Sequence, residues 1–151
     1  MSNRGVRIRR VENRDEVEWL RLRMALWPHD AADELLRGMA VIREDPRQPV
    51  FVAERPEGGL CGLLEAAIRP TAPGCVTPNV GYLEGWYVDP DWRGRGIGRR
   101  LVEAAEAWAR SQGCREMASD TTPNYPVSPI AHARLGYEPV EDPYHFRKEL
   151  G

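Results

Sequence analysis

The chain has almost no lysine: 20 of its 21 Lys and Arg residues are Arg, and Lys148 is the exception. Arg offers a planar fork for phosphate and carboxylate, although GC-rich coding produces the same bias without any function. No run approaches the ~18 consecutive apolar residues of a membrane span. The opening Met1-Ser2-Asn3-Arg4 leads into charged sequence without the apolar core of a signal peptide. Cysteine is scarce as well. Cys61, Cys75 and Cys114 are odd in number and show no CxxC or Cys/His spacing, which argues against a disulfide framework or a zinc site. A cytoplasmic protein without metal is expected. Charge of one sign is not in excess: 21 bases face 23 acids for a net −2, which gives no general pull toward nucleic acid or anionic membrane. Repeats and low-complexity tracts are absent, and the 14 Gly and 13 Pro are dispersed. A single domain over residues 1–151 follows from that length.

Periodicity supplies the elements. Val6 to Arg10 alternates as a first strand. Asn13 is placed to cap a helix with Val17, Leu20, Met24 and Trp27 as its buried stripe, ending at Pro28. A second helix covers Ala31 to Arg43. Pro49 to Glu54 and Leu60 to Ile68 form a hairpin around Arg55–Gly59. A loop from Pro70 to Asn79 precedes a strand over Val80–Val88. The clearest helix starts at Gly96 or Ile97 and runs to Gln112, with Gly113 as its stop. A short strand over Arg115–Ser119 follows. A helix then opens with Ser128 as cap and Pro129 at its first position. Two last strands cover Tyr137–Val140 and Tyr144–Leu150. The order βααβββαβαββ predicts an α/β (α+β) fold, a mixed central sheet of about six to seven strands flanked by about four helices.

The most specific segment is Val88-Asp89-Pro90-Asp91-Trp92-Arg93-Gly94-Arg95-Gly96-Ile97-Gly98-Arg99-Arg100-Leu101, a strand end, a Gly-rich basic loop and a helix start. Glycines admit an anion close to the backbone, and first-turn N–H groups point at it. Four Arg against one Asp in residues 91–100 add +3. This composition suits a pyrophosphate. It is no Walker A loop, since GxxxxGK[ST] is missing, and its late position after a meander does not match a dinucleotide fingerprint. A solvated Gly-rich turn is the plain alternative.

The strand, the Arg93-x-x-Gly96-x-Gly98 loop and the long helix resemble the acetyl-CoA signature of the GNAT N-acetyltransferase superfamily. Ala131 to Glu138 resembles that family's late helix–Gly–aromatic motif. A narrower resemblance, to aminoglycoside 6′-N-acetyltransferases of the short dimeric type, lies in three segments. These are Leu22-Arg23-x-x-Leu26-Trp27-Pro28, Leu83-Glu84-Gly85, and Gly113-Cys114-Arg115-Glu116-Met117-Ala118-Ser119-Asp120-Thr121. It implies a GNAT fold, a homodimer, acetyl-CoA as acetyl donor, and direct attack of a substrate amine on the thioester.

By this resemblance the pyrophosphate rests on Arg93, Gly94, Arg95, Gly96, Ile97, Gly98 and Arg99, mostly on their backbone N–H groups. Backbone groups of Trp86, Tyr87 and Val88 hold the pantetheine arm and polarise the thioester. Alternation puts Tyr82, Glu84, Trp86 and Val88 on one strand face and Leu83, Gly85 and Tyr87 on the other. A carboxylate in so apolar a strand requires a partner, solvent or a proton, and the resemblance makes Glu84 a contact of the substrate amine. Anchoring an ammonium and accepting its proton make opposite demands on Glu84, and both roles stay open. The resemblance also assigns substrate contacts to Asp120, Glu141 and Trp27. Local reading offers instead an Asx turn, an exposed loop acid and a core aromatic. His132 occupies the position where many family members carry the Tyr that protonates the departing thiolate, and Tyr125 is a second candidate donor. Tyr125 stands where related enzymes have an Asn on the pantetheine arm, and Asn124 is shifted by one from it. The Pro70–Asn79 loop lacks the drug-contacting aromatic of related enzymes.

Charge separates along the chain: residues 84–90 sum to −2, 91–100 to +3, and 116–151 to −3. Such a distribution suits one anionic and one cationic small ligand. A GNAT enzyme for another small amine or polyamine, and an acyl-CoA-binding module without turnover, are the competing readings. A protein N-terminus acetyltransferase fits less well, because three spaced acids suit a polycation better than a peptide.

Overall fold

The structure, a computed structural model, describes residues 5–122, 125, 127–140 and 142–151. The elements follow as β1 (Arg7–Arg10), α1 (Glu16–Leu26), α2 (Ala32–Arg43), β2 (Val50–Glu54), β3 (Leu60–Arg69), β4 (Val80–Val88), α3 (Ile97–Ser111), β5 (Glu116–Asp120), α4 (Ser128–Arg134), β6 (Glu138–Val140) and β7 (Asp142–Glu149). The order is the expected one, and the strands form one seven-stranded mixed sheet in the order β1-β2-β3-β4-β5-β7-β6. β4 and β5 run parallel over Gly81–Leu83, whereas β1 with β2, β2 with β3, β5 with β7 and β6 with β7 run antiparallel.

Two compact units emerge, one of residues up to 65 with 85–104, the other of 66–84 with 105–151. In the first, Trp19, Leu22, Met39, Val50, Val52, Leu60 and Leu63 make a core cluster, and Tyr87 packs on it. Burying such apolar side chains supplies the main stabilisation, of order 1.5–3 kcal/mol for each large one. In the second, Val80, Tyr82 and Ala118 cluster with Ala72 and Cys75.

The first helix differs from its expected phase. Val17 and Met24 are 81% and 45% exposed, and Trp19, Leu22, Arg23 and Leu26 face inward. Trp19, Leu22 and Leu26 repeat at helical spacing and form the buried stripe. Arg23 turns inward beside them: it forks onto Glu65 (2.8 and 3.1 Å), and the Trp19 indole N–H donates to the same carboxylate at 2.8 Å. Apolar periodicity carries no signal for an inward arginine. Nor does Asn13 cap α1. It lies in a 3-10 turn, Asn13–Asp15, closed by reciprocal bonds between Glu12 and Asp15. Ser128 is likewise the first residue of α4 and Val127 its cap.

Candidate active site

The glycine–arginine loop joins β4 to α3. Asp89 accepts a fork from Arg21 (3.0 and 2.9 Å), and its N–H donates to the Cys61 carbonyl at 2.8 Å. These bonds fix where β4 ends. A 3-10 turn over Pro90–Trp92 follows. Gly94 and Gly96 then adopt φ of +77° and +79°, the left-handed region that other residues enter at a cost. The Gly96 carbonyl accepts the N–H of Arg100 at 3.1 Å, so α3 begins immediately after it with its first-turn N–H groups pointing out of the helix end. A Cβ on Gly94 would meet nothing within 4 Å. Open backbone at a helix N-terminus fits the pyrophosphate of a CoA ester.

The arginines here do more than carry charge. Arg93 donates Nε to the Val88 carbonyl at 2.8 Å and lies over the Tyr87 ring at 5.3 Å. Arg95 donates to the Asp91 carbonyl at 3.0 Å and covers Trp92 at 4.7 Å. Both therefore brace the backbone of the loop between β4 and α3. Arg99 is exposed and Ile97 buried. Gly98 has a packing reason besides any ligand: a Cβ there would lie 3.2 Å from the Trp86 ring, whose N–H donates to the Gly98 carbonyl at 3.2 Å. Trp86, Tyr87 and Val88 are half-buried. In the same unit Trp27 packs on Gly85, and the Arg23 guanidinium stands 5.1 Å from its ring.

The second unit holds the acids. Glu84 accepts a two-point fork from Arg69, Nε to Oε2 at 2.8 Å and Nη2 to Oε1 at 2.7 Å. The same guanidinium stacks on the Tyr82 ring at 3.5 Å, and the Tyr82 hydroxyl donates to Asp120. Glu84 raises the Arg69 pKa through this pairing. Burial first, and Asp120 second, push the Tyr82 phenol well above its usual range, so it stays a donor. Glu84 and Asp120 thus belong to one four-residue network. Sequence reading missed Arg69 and Tyr82. The available signal was that Arg69 is the sole base between Arg55 and Arg93, on the strand beside that of Glu84.

His132 is 2% exposed. Its Nδ1 lies 2.8 Å from the Ser128 carbonyl, an acceptor, and its Nε2 lies 2.8 Å from the Ser119 hydroxyl. With Nδ1 protonated, Nε2 receives the serine proton. The ring stacks on Phe146 at 4.3 Å, and burial lowers its pKa. Tyr125 is 36% exposed, and its N–H donates to the Thr122 carbonyl at 3.1 Å. Asn124 and Glu141 lie outside the described residues. In the same unit, Glu116 pins the loop of residues 70–79 by accepting the N–H groups of Val76 and Thr77 at 2.9 and 2.7 Å, and Arg147 pairs with it at 2.9 Å. Among the described residues no three His, Cys, Asp or Glu side chains gather as a metal site. No helix of the described residues is long and apolar enough to cross a membrane.

Known proteins resemble this chain closely. The acetyltransferase (GNAT) family model matches residues 9–137. An aminoglycoside N(6′)-acetyltransferase type 1 of Klebsiella aerogenes is 41% identical over 95% of this chain and 96% of its own length. The same enzyme type of Stenotrophomonas maltophilia is 38% identical over 95% of this chain and 93% of its own length. Among solved structures, AAC(6′)-Iy in complex with the bisubstrate analogue CoA-S-monomethyl-acetylneamine superposes with a TM-score of 0.85 at 35% identity, covering 91% of this chain and 93% of that one. AAC(6′)-Ih from Acinetobacter baumannii gives a TM-score of 0.86 at 32% identity, over 91% and 94% of the two chains. A glycine-lined helix start after the fourth strand and a match across nearly all of the chain make it a member of the GNAT acetyltransferase family, in the company of the aminoglycoside N(6′)-acetyltransferases.

Proposed function

We propose that this protein transfers the acetyl group of acetyl-CoA to the 6′-amine of aminoglycosides and so confers resistance to them. One observation carries the reading: the similarity to enzymes of that name extends over 95% of the chain. The amine nitrogen bonds to the acetyl carbon as the thioester C–S bond breaks, and CoA leaves as its thiol. The family match over residues 9–137 supports treating the chain as one acetyltransferase domain.

Each residue then has a task. The backbone of residues 93–99 receives the pyrophosphate, braced by Arg93 and Arg95. The exposed Arg99 adds charge beside it. Backbone groups of Trp86 to Val88 hold the arm and polarise the carbonyl. Trp27 receives the sugar face. Glu84 and Asp120 receive the ammonium groups, as does Glu141 by resemblance, and Asn124 meets the arm by resemblance. We assign proton delivery to Tyr125, whose side chain is the more exposed of the two donors, and a packing role to His132. A homodimer in the cytoplasm completes the reading, resting on resemblance to the short 6′ enzymes, and light scattering tests the dimer.

A second reading, a small-amine or polyamine acetyltransferase, is favoured by the missing aromatic in residues 70–79. An amine panel separates the two. Thiol release from acetyl-CoA should appear with 6′-amino aminoglycosides and vanish with their 6′-hydroxyl counterparts. Equal turnover of both sinks the regiochemistry. Turnover confined to simple polyamines selects the second reading, and acetyl-CoA binding without any turnover selects a binding module.

A further inference from the structure

Arg69 already occupies the carboxylate that a cationic substrate is expected to meet. Its fork spans both oxygens of Glu84 at 2.7 and 2.8 Å. A carboxylate offers about four lone-pair sites, and a two-point fork fills the two at its open end, leaving one outward on each oxygen. Glu84 and Arg69 side chains are 29% and 41% exposed, so those outward positions can be reached from solvent. The guanidinium cannot swing away cheaply. Its face rests on the Tyr82 ring at 3.5 Å, and Tyr82 is itself buried and tied to Asp120 through its hydroxyl. Within this group two carboxylates share one cation, leaving a net −1 beside a stacked plane. Repulsion between the acids is relieved without filling their remaining acceptor sites.

We propose that Arg69 is a positioning residue for substrate cations: it holds Glu84 in one orientation and, through Tyr82, keeps Asp120 in register with it. The two acids thereby receive a polyamine as a fixed pair, and Glu84 serves as an anchor. Side chains ordered in advance do not lose rotamer freedom on binding. Lysine does not replace Arg69, because an ammonium neither forks across both oxygens nor lies flat on a ring. The proposal rests on the acetyltransferase reading above.

The test compares wild type with Arg69→Lys, Arg69→Gln and Tyr82→Phe in steady-state kinetics with a 6′-amino aminoglycoside. Both Arg69 variants should raise the aminoglycoside KM about tenfold, with kcat within about threefold and the acetyl-CoA KM unchanged. In a Glu84→Gln background the Arg69→Lys change should add less than about twofold, because the two residues act as a unit. Tyr82→Phe keeps the platform and frees Asp120, so it should raise KM less than Arg69→Lys does. A wild-type KM in Arg69→Lys overturns the proposal, because charge alone would then suffice. Equal rises for both substrates, with a lowered Tm, overturn it too, since they mark a general role in folding. Absence of wild-type turnover refutes the acetyltransferase reading instead. Calorimetric binding of the same aminoglycoside then decides on Arg69: a roughly tenfold weaker Kd in Arg69→Lys supports the proposal, and equal or absent affinities overturn it.

Discussion

Gly85 and Trp27 are fitted to each other: a Cβ on Gly85 would lie 2.8 Å from Cη2 of Trp27, 3.0 Å from its Cζ2 and 3.1 Å from Leu26 Cδ2. A contact that short forces the indole to move. Gly85→Ala should therefore cost about 1–3 kcal/mol in stability through overpacking. If Trp27 carries the sugar face, the aminoglycoside KM should rise about fivefold or more while the acetyl-CoA KM holds. Kinetics with each substrate varied in turn read this out. An unchanged aminoglycoside KM would remove Trp27 from the binding site.

His132 is buried between Ser119, Ser128 and Phe146 with both ring nitrogens engaged. His132→Asn should lower stability by about 1–3 kcal/mol, the cost of leaving buried polar partners unmatched. Its kcat should stay within about threefold of wild type. The sign of the pH effect follows from burial. Because burial depresses the folded-state pKa below 6.5, the unfolded chain takes up the proton first, and stability falls as pH drops through 6.5 toward that lower value. Urea titrations between pH 7.5 and 5 should show the decline in wild type and a shallower one in the variant. A kcat loss of a hundredfold or more at unchanged stability would return the proton-donor role to His132.

Glu116 should dominate acid sensitivity in its region. Burial opposes its charge, yet the bonds from Thr77, Val76 and Arg147 outweigh this and bring its pKa down to about 2 from 4.5. The charged form is the one the fold binds, so this contribution is complete above 4.5 and disappears as pH falls toward 2. It amounts to about 3 kcal/mol at most. Glu116→Gln should be markedly less stable than wild type at pH 7, with cleavage by a protease in residues 70–79 accelerated. The stability gap between the two proteins should narrow below pH 4. A gap that stays constant down to pH 3 contradicts the charged anchor.

Much of the fold was legible in the residues themselves, because local rules govern it. Period-two runs, apolar helical stripes and Gly or Pro stops placed every element in its true order, and β4 over Val80–Val88 matched residue for residue. The Gly94 and Gly96 turn was equally readable, since positive φ is a local demand that glycine meets without a Cβ clash. Pairings between distant residues were not. α1 buries Trp19, Leu22 and Leu26 rather than the stripe from Val17 to Trp27, and Arg23 turns inward beside them to Glu65, 42 positions away, a pairing that no pattern of apolar residues announces. Gly98 and Gly85 looked like ligand and motif glycines, and the packing of Trp86 and Trp27 shows what space each one leaves. Glu84 was visible as an acid out of place in an apolar strand. That its partner is Arg69, stacked on the tyrosine that holds Asp120, depended on strand register and side-chain packing. Composition and period determine which elements form. Tertiary structure alone decides which charges meet, because charge pairing depends on distances of a few ångströms between residues that sequence order leaves far apart.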